Sequence, residues 1–364
     1  MARILTSYYK PTPGGLCKRY FRAINVLLAR GHTVHYVAVE KFPIEHENCH
    51  FHRFPWPKQF VDNYFFWAVF HLCAPFQFLY IVLRRRIDCA FYFNLTYALL
   101  MQPARFFLRL SISLFLRADG VLNHEIKGRP RWLCGLEKIL EGFAINGTRL
   151  IGVSETLTHS VIARHNWSRP VSHGTLPNDI ESAPDTWRKF SGGAMPLRFA
   201  CVGILEPRKN QVLILHSIAA LKDLQFKLHI FGTGPQAKAL QELTKRLSVT
   251  EKVNFQGWCE RDTMWSNIDV LLFPSLHEGV SNTVLEAIQR GVPVLASDIP
   301  EHREILPAEY LIPLDQDSWT EAINKIANDY ADWGKSISDA QQNFAGKLHF
   351  DWDEEICRLI VAGR

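Results

Sequence analysis

The sequence contains no C-x-x-C pair and no cysteine–histidine grouping at metal-ligand spacing; Cys17, Cys49, Cys73, Cys89, Cys134, Cys201, Cys259 and Cys357 are scattered along it. That excludes a zinc module and a disulfide framework, and suits reduced thiols in the cytoplasm. A Lys/Arg-rich run with interleaved aromatics is also missing, and the formal net charge is only +5. Nucleic acid is therefore not an expected partner. The motifs G-x-x-x-x-G-K-[ST], G-x-S-x-G and H-E-x-x-H are absent, which removes P-loop, serine-hydrolase and zincin chemistry. The first residues, "MARILTSYYKPTPGG", enter a strand without an apolar signal-peptide core, in keeping with a cytoplasmic location.

What is present is globular. Apolar residues make up 47% and charged residues 21% of 364, more than one hydrophobic core usually holds, so two domains are expected. One stretch stands apart: Asn63 to Leu83 carries no charge and runs into Arg84, Arg85 and Arg86. Its length would suit a membrane span, but His71, Pro75 and Gln77 interrupt it. The expectation is a core helix with one face toward lipid, making Tyr64–Arg86 a peripheral contact at the inner face of a membrane, its arginines facing anionic headgroups.

The opening reads as strand ("ARILTSYY"), glycine turn, helix ("LCKRYFRAINVLLARG") and strand ("HTVHYVAVE"), as open parallel sheets begin. Further strands are expected at "CAFYF", at "GVLNHE" (120–125) and at "RLIGVSE", with a helix at "RWLCGLEKILEGFAI". "SHGTLPND" (172–179) reads as turn residues after the last strand of the first domain. A second αβ series runs through "RFACVGIL", "FKLHIFGTG", "KVNFQG", "DVLLFPS" and "VPVLASD". The expected organisation is an N-terminal Rossmann-like domain over 1–180, a linker over 181–197, a C-terminal Rossmann-like domain over 198–345, and a C-terminal helix over 346–364 that packs back toward the first domain.

Parallel α/β sheets bind ligands beyond the C-terminal ends of their strands, and four such ends in the second domain stand out: "GILEPRKN", "FGTGP", "QGWCER" and "PSLHEGVSNT". In the last, Ser281 is a good N-cap and Gly291 a natural helix end, so the N–H groups of Val280, Ser281, Asn282 and Thr283 would form an anion site. Gly279 lets a ligand approach closely. Glu278, ahead of that site, could accept hydrogen bonds from sugar hydroxyls. Glu286, half buried between Leu285 and Ala287, needs a partner, for which a ribose diol would serve. Arg208 and Lys209 could neutralise a departing diphosphate without a metal. Taken singly, each of these side chains would equally suit a solvated surface.

Together, "HEGVSNTVLEAIQRGVPVLASD" resembles the E-x7-E signature of the retaining GT-B glycosyltransferases, specifically glycosyltransferase family 4. "GG" at 14–15, "RGHTV", "VSE", "LPND", "VGILEPRKN", "FGTGP" and "FQGW" fall in the family's order across nearly the whole chain. The resemblance implies two Rossmann-like domains facing across a cleft and a UDP- or GDP-linked donor with no metal cofactor. It assigns Glu278 to the donor sugar, Glu286 to the ribose, and Arg208 and Lys209 to the diphosphate. Gly15 would approach the phosphates, and His124 matches the family's histidine near the anomeric centre, although a structural histidine at a strand end fits it too. Ile204 stands where the family often has arginine, and Arg208 is expected to take over that charge.

The function so implied is transfer of a hexose or N-acetylhexosamine to a lipid-linked or oligosaccharide acceptor in surface-polysaccharide assembly. A nucleotide-sugar epimerase, a phosphorylase and a non-catalytic membrane-surface scaffold are the rivals. "DQD" (315–317) and "DWD" (351–353) resemble a metal-binding D-x-D, but "DWD" precedes a helix and reads better as a cap.

Overall fold

The computed structural model describes residues 1–11, 15–61, 63–116, 131–192, 196–221 and 223–362. The expected strand at 120–125, with His124, lies outside them. Two compact units emerge: Met1–Pro177 with Asp351–Arg364, and Asn178–Phe350.

The first unit is a seven-stranded sheet in the order β3-β2-β1-β4-β5-β6-β7. Its strands are β1 (Arg3–Ser7), β2 (Thr33–Ala38), β3 (Cys49–Arg53), β4 (Cys89–Tyr92), β5 (Ser111–Leu116), β6 (Arg149–Gly152) and β7 (Ser172–Thr175). All pair in parallel. The helices between them are α1 (Gly15–Ala29), α2 (Tyr64–Arg85), α3 (Leu95–Leu108), α4 (Arg131–Ile145) and α5 (Glu155–Arg164). The central β4 is buried along its whole length, as a strand covered on both faces must be.

Ser172–Thr175 corrects the sequence reading: it is itself the last strand, not the turn after one. As an edge strand it is held by its backbone ladder to β6, so its side chains need not be apolar. The C-terminal helix Trp352–Val361 packs on α1 within this unit. Arg22 stacks its guanidinium 4.8 Å from the Trp352 ring and bonds Asp353 at 2.7 Å. "DWD" is a cap, with Asp351 accepting from the Glu354 N–H at 2.8 Å, and Asp315 of "DQD" likewise accepts from Ser318 at 2.8 Å.

Edge strand β3 and its neighbour β2 bring three histidines together: His35 Nδ1 and His52 Nε2 are 3.0 Å apart, and the His35 and His50 rings stack at 4.7 Å. Burial, then His50, His52, Arg85 and Arg3, push the His35 pKa down to about 3 from 6.5. The depressed folded value means the unfolded chain protonates first on acidification. This group's contribution to stability is complete above pH 6.5 and is lost as pH falls toward 3. The melting temperature should therefore drop through that window and His35→Gln should flatten the drop; an equal drop with pH in both proteins would refute this.

The second unit is a six-stranded parallel sheet, β10-β9-β8-β11-β12-β13, with β8 at Leu197–Val202, β9 at Phe226–Phe231, β10 at Val253–Gly257, β11 at Val270–Phe273, β12 at Val294–Ser297 and β13 at Leu311–Ile312. Phe199, Leu228, Ile230, Val270, Leu272 and Leu295 form its core. The segment expected as a linker over 181–197 is packed on this unit: Trp187 is buried, Arg188 donates its N–H to the Gln289 carbonyl at 2.8 Å, and Lys189 reaches Gln342 at 3.2 Å. A buried indole in a polar stretch is what ties it down.

Candidate active site

In the second sheet the chain leaves β8 toward β9 and later returns to β11 on the other side of β8. The loops after β8 and β11 therefore run in opposite directions and leave a crevice at the strands' C-terminal ends. The first loop carries Arg208 and Lys209 in a 3-10 turn, Pro207–Lys209; the second carries Glu278. Leu276 donates its N–H to the Arg208 carbonyl at 2.9 Å, clamping the two loops together.

Their side chains meet. Glu278 Oε1 lies 2.7 Å from Lys209 Nζ and 2.8 Å from Arg208 Nη1. Arg208 is held on its other edge by Glu206 Oε1, which accepts from Nη2 at 2.7 Å and from Nε at 3.0 Å. The Glu278 side chain is only 7% exposed and that of Lys209 11%. Burial alone would raise the Glu278 pKa, but Lys209 and Arg208 outweigh it and hold the carboxyl below its usual range. For Lys209 burial wins, and its pKa is lowered despite Glu278; its ammonium also sits 4.3 Å from the Phe273 ring centre. Burial opposes the Arg208 charge too, yet Glu278 and Glu206 raise its pKa.

Backbone packing fixes the first loop. Gly203 donates its N–H to Phe231 at 3.0 Å, Leu205 to Thr233 at 3.0 Å, and Gln236 to Leu205 at 2.9 Å. At the base of the second loop, Ser297 donates to the Ser275 carbonyl at 2.5 Å, and buried His302 donates Nδ1–H to the Ser297 carbonyl at 2.8 Å. Burial lowers the His302 pKa, keeping the ring neutral.

Helix α6 (Gln211–Ala219) and helix α7 (Ala237–Arg246) follow β8 and β9, and α8 (Arg261–Trp265) follows β10. Helix α9 is Asn282–Gln289, with Ser281 at the N-cap and Gly291 just past its end at φ +67°, as the sequence reading expected. Its first turn bond runs from the Leu285 N–H to the Ser281 carbonyl at 3.2 Å, so the N–H groups ahead of it have no helical acceptor. Val280 and Ser281 are buried; Gly279, Asn282 and Thr283 are half-buried. Asn178, from "LPND", donates to the Val280 carbonyl at 2.5 Å and pins the turn.

Glu286 is half-buried as expected, but it has protein partners: Trp265 Nε1–H donates to Oε2 at 3.2 Å, and Arg261 Nη2 is 2.8 Å from Oε1. Sequence reasoning missed Glu206 and Trp265. Glu206 lies in "EPRKN", where a carboxylate two residues from an arginine was the available signal; nothing local pairs Trp265 with Glu286. Gly15 begins α1 in the first unit, and Ile204 is exposed. Among the described residues no group of three His, Cys, Asp or Glu side chains could hold a metal ion.

Residues 196–329 match the Glycosyl transferases group 1 family. Over 133 residues, 35% of this chain, the sequence is 31% identical to the O-antigen chain mannosyltransferase RfbU of Salmonella typhimurium. The chain spans little over a third of the curated relatives it matches, 38% in this case. The fold is GT-B. Sucrose-phosphate synthase from Thermosynechococcus elongatus superimposes with a TM-score of 0.76 at 16% identity, covering 98% of this chain and 96% of that one. Anabaena Alr3699/HepE in complex with UDP-glucose gives 0.73 at 14% identity, covering 98% and 99%.

Proposed function

We propose that this chain, whose second unit belongs to the Glycosyl transferases group 1 family, is a retaining family 4 glycosyltransferase of surface-polysaccharide assembly. It moves a hexose or N-acetylhexosamine from a UDP- or GDP-linked donor to a lipid-linked or oligosaccharide acceptor. The observation that carries this reading is the buried Glu278–Lys209–Arg208 cluster at the sheet's switch point, beside a helix start with free N–H groups.

In this reading the two cations take the charge of the departing diphosphate, so no metal is required. The N–H groups of Val280 to Thr283 bind phosphate oxygens. Glu278, besides holding the cations, accepts from sugar hydroxyls, and Glu286, with Trp265 and Arg261, lies along the ribose and base. The family resemblance keeps Gly15 for the phosphates and His124 for the anomeric centre. The O-antigen mannosyltransferase relative and the UDP-glucose complex of a fold neighbour support the substrate class.

The enzyme works in the cytoplasm, peripherally at the inner face of the membrane. Helix α2 is long and apolar enough to cross a membrane by composition, but Phe66, Phe70, Ala74, Phe78, Ile81 and Val82 are buried in the unit. Its other face exposes Tyr64, Phe65, Leu72, Phe76, Tyr80 and Leu83, which supports contact with lipid rather than a span.

A thermal-shift screen of UDP- and GDP-sugars tests the donor. One sugar nucleotide should stabilise the protein by about 2.7 kcal/mol at a hundredfold excess over its Kd. With that donor and a membrane extract, the product should keep the donor's anomeric configuration by NMR. An isomerised sugar formed without acceptor would instead make it an epimerase, a phosphate requirement a phosphorylase, and no binding at all a scaffold.

A further inference from the structure

In the first unit, where β5 and β6 begin, a cavity of about 400 Å³ is lined by Arg105, Arg109 and Arg149. No carboxylate lines it, and among the described residues none pairs with these three arginines. Two of them are held in place. Arg105 donates from Nε to Gln102 at 2.6 Å and lies flat against Gly147, where an added Cβ would come within 2.1 Å of its Nη1. Arg149 opens β6, donates from Nη2 to the Ile360 carbonyl at 3.0 Å, and has its Nε buried without a partner.

Arg109 is the most telling. It ends α3 at φ +54°, and Arg86 ends α2 at φ +51°, positions where glycine is the ordinary choice. A side chain in that conformation costs ~1 kcal/mol or more. The two apolar helices thus each end in a guanidinium at a conformational cost.

The rim is apolar. Phe106 and Val171 line the cavity and are each 73% exposed. Next to them Phe107 is exposed, and α4, which packs on α3, exposes Leu136, Ile139 and Phe143. Free phosphate would gain nothing from such a rim, whereas a lipid would use both parts: guanidinium forks for its phosphate and aromatic side chains for its chains.

We propose that the Arg105–Arg109–Arg149 cavity binds the phosphate of an anionic membrane lipid and fixes how the first unit sits on the bilayer. This rests on the peripheral-membrane reading above and gives it a specific headgroup site, separate from the donor residues. Each arginine near an anionic surface is worth ~1 kcal/mol, or about fivefold in binding.

The test is flotation of the full chain with phosphatidylcholine vesicles, with and without phosphatidylglycerol, in the absence of donor and acceptor. Wild type should prefer the anionic vesicles. Arg109→Gly should weaken that preference about fivefold while leaving the melting temperature equal or higher, because glycine suits the backbone there. Arg105→Gln with Arg109→Gly should lower it further, whereas Arg86→Gly should have a smaller effect. An unchanged preference in Arg109→Gly, or an equal loss in Arg86→Gly, would overturn the site. So would stabilisation by inorganic phosphate without any anionic-vesicle preference, which would mark a free-anion pocket. Retained binding to neutral vesicles would in that case leave the apolar contact standing. Sugar transfer to a soluble acceptor should be unaffected by Arg109→Gly, so failure of the transferase assignment is read separately.

Discussion

Glu278→Gln should lower the rate of sugar transfer on the order of 10²–10³-fold while the protein still folds. Arg208 and Lys209 face Glu206 and Glu278, so this cluster of four is neutral before any anion arrives. A diphosphate must compete with the carboxylates for both cations, and Glu278, touching both at once, sets where they stand. Glutamine preserves shape and one acceptor but not the charge. Arg208 retains Glu206, whereas Lys209 is left buried with no carboxylate in contact. Removing one partner of a buried pair costs about 3–5 kcal/mol, so part of the effect will appear as lost stability.

Lys209→Met separates the two effects. It removes the buried charge that makes Glu278→Gln costly, so the double variant should be more stable than Glu278→Gln alone and no more active. The readouts are steady-state transfer and urea unfolding of all four proteins in the cycle. Near-normal transfer by Glu278→Gln would remove Glu278 from the chemistry. Additive stabilities would mean the ion pair is not coupled.

How far the sequence led depends on the range of each interaction. The bounds of α9 were legible because serine and glycine mark helix ends locally, although the Ser281 side chain makes no capping bond here. The parallel sheets were legible because buried strands such as "CAFY" and "VLLF" are continuous apolar runs. Edge strands were not: β3 and β7, "CHFHR" and "SHGT", bury too little for their composition to show. The α2 composition suited a membrane as well as a core, and only packing divides its two faces. In the site, Arg208, Lys209 and Glu278 were found as residue types. Their contact spans 69 positions in the chain and depends on β8 and β11 being neighbours, which no local pattern encodes. The same holds for Glu286, whose partner Trp265 lies 21 positions away.

Gly232→Ala should be the most destabilising small substitution near this site, by at least about 3–5 kcal/mol. Gly232 sits at φ +126°, and a Cβ built there would lie 1.9 Å from the Gly203 carbonyl oxygen. Neither backbone can retreat easily. Gly203 is bonded to Phe231 at 3.0 Å, and Gly232 donates its N–H to Gly257 at 2.7 Å, so relief breaks ladder bonds at the end of the sheet. Gly257→Ala is the matched control: it lies at the same strand ends at φ +66° but has nothing within 4 Å of its added Cβ. It should show only the conformational cost, ~1–2 kcal/mol. The difference between the two isolates the collision. The collision also reaches the chemistry, because Lys209 Cε lies 3.4 Å from where a Gly203 Cβ would stand. A shift of the Gly203 backbone therefore displaces the ammonium from Glu278. Gly232→Ala should lose donor-induced stabilisation even at temperatures where it remains folded, and Gly257→Ala should keep it. Equal melting temperatures for the two variants would show that the loops after β8 and β9 yield to each other, contrary to the backbone contact that aligns Lys209.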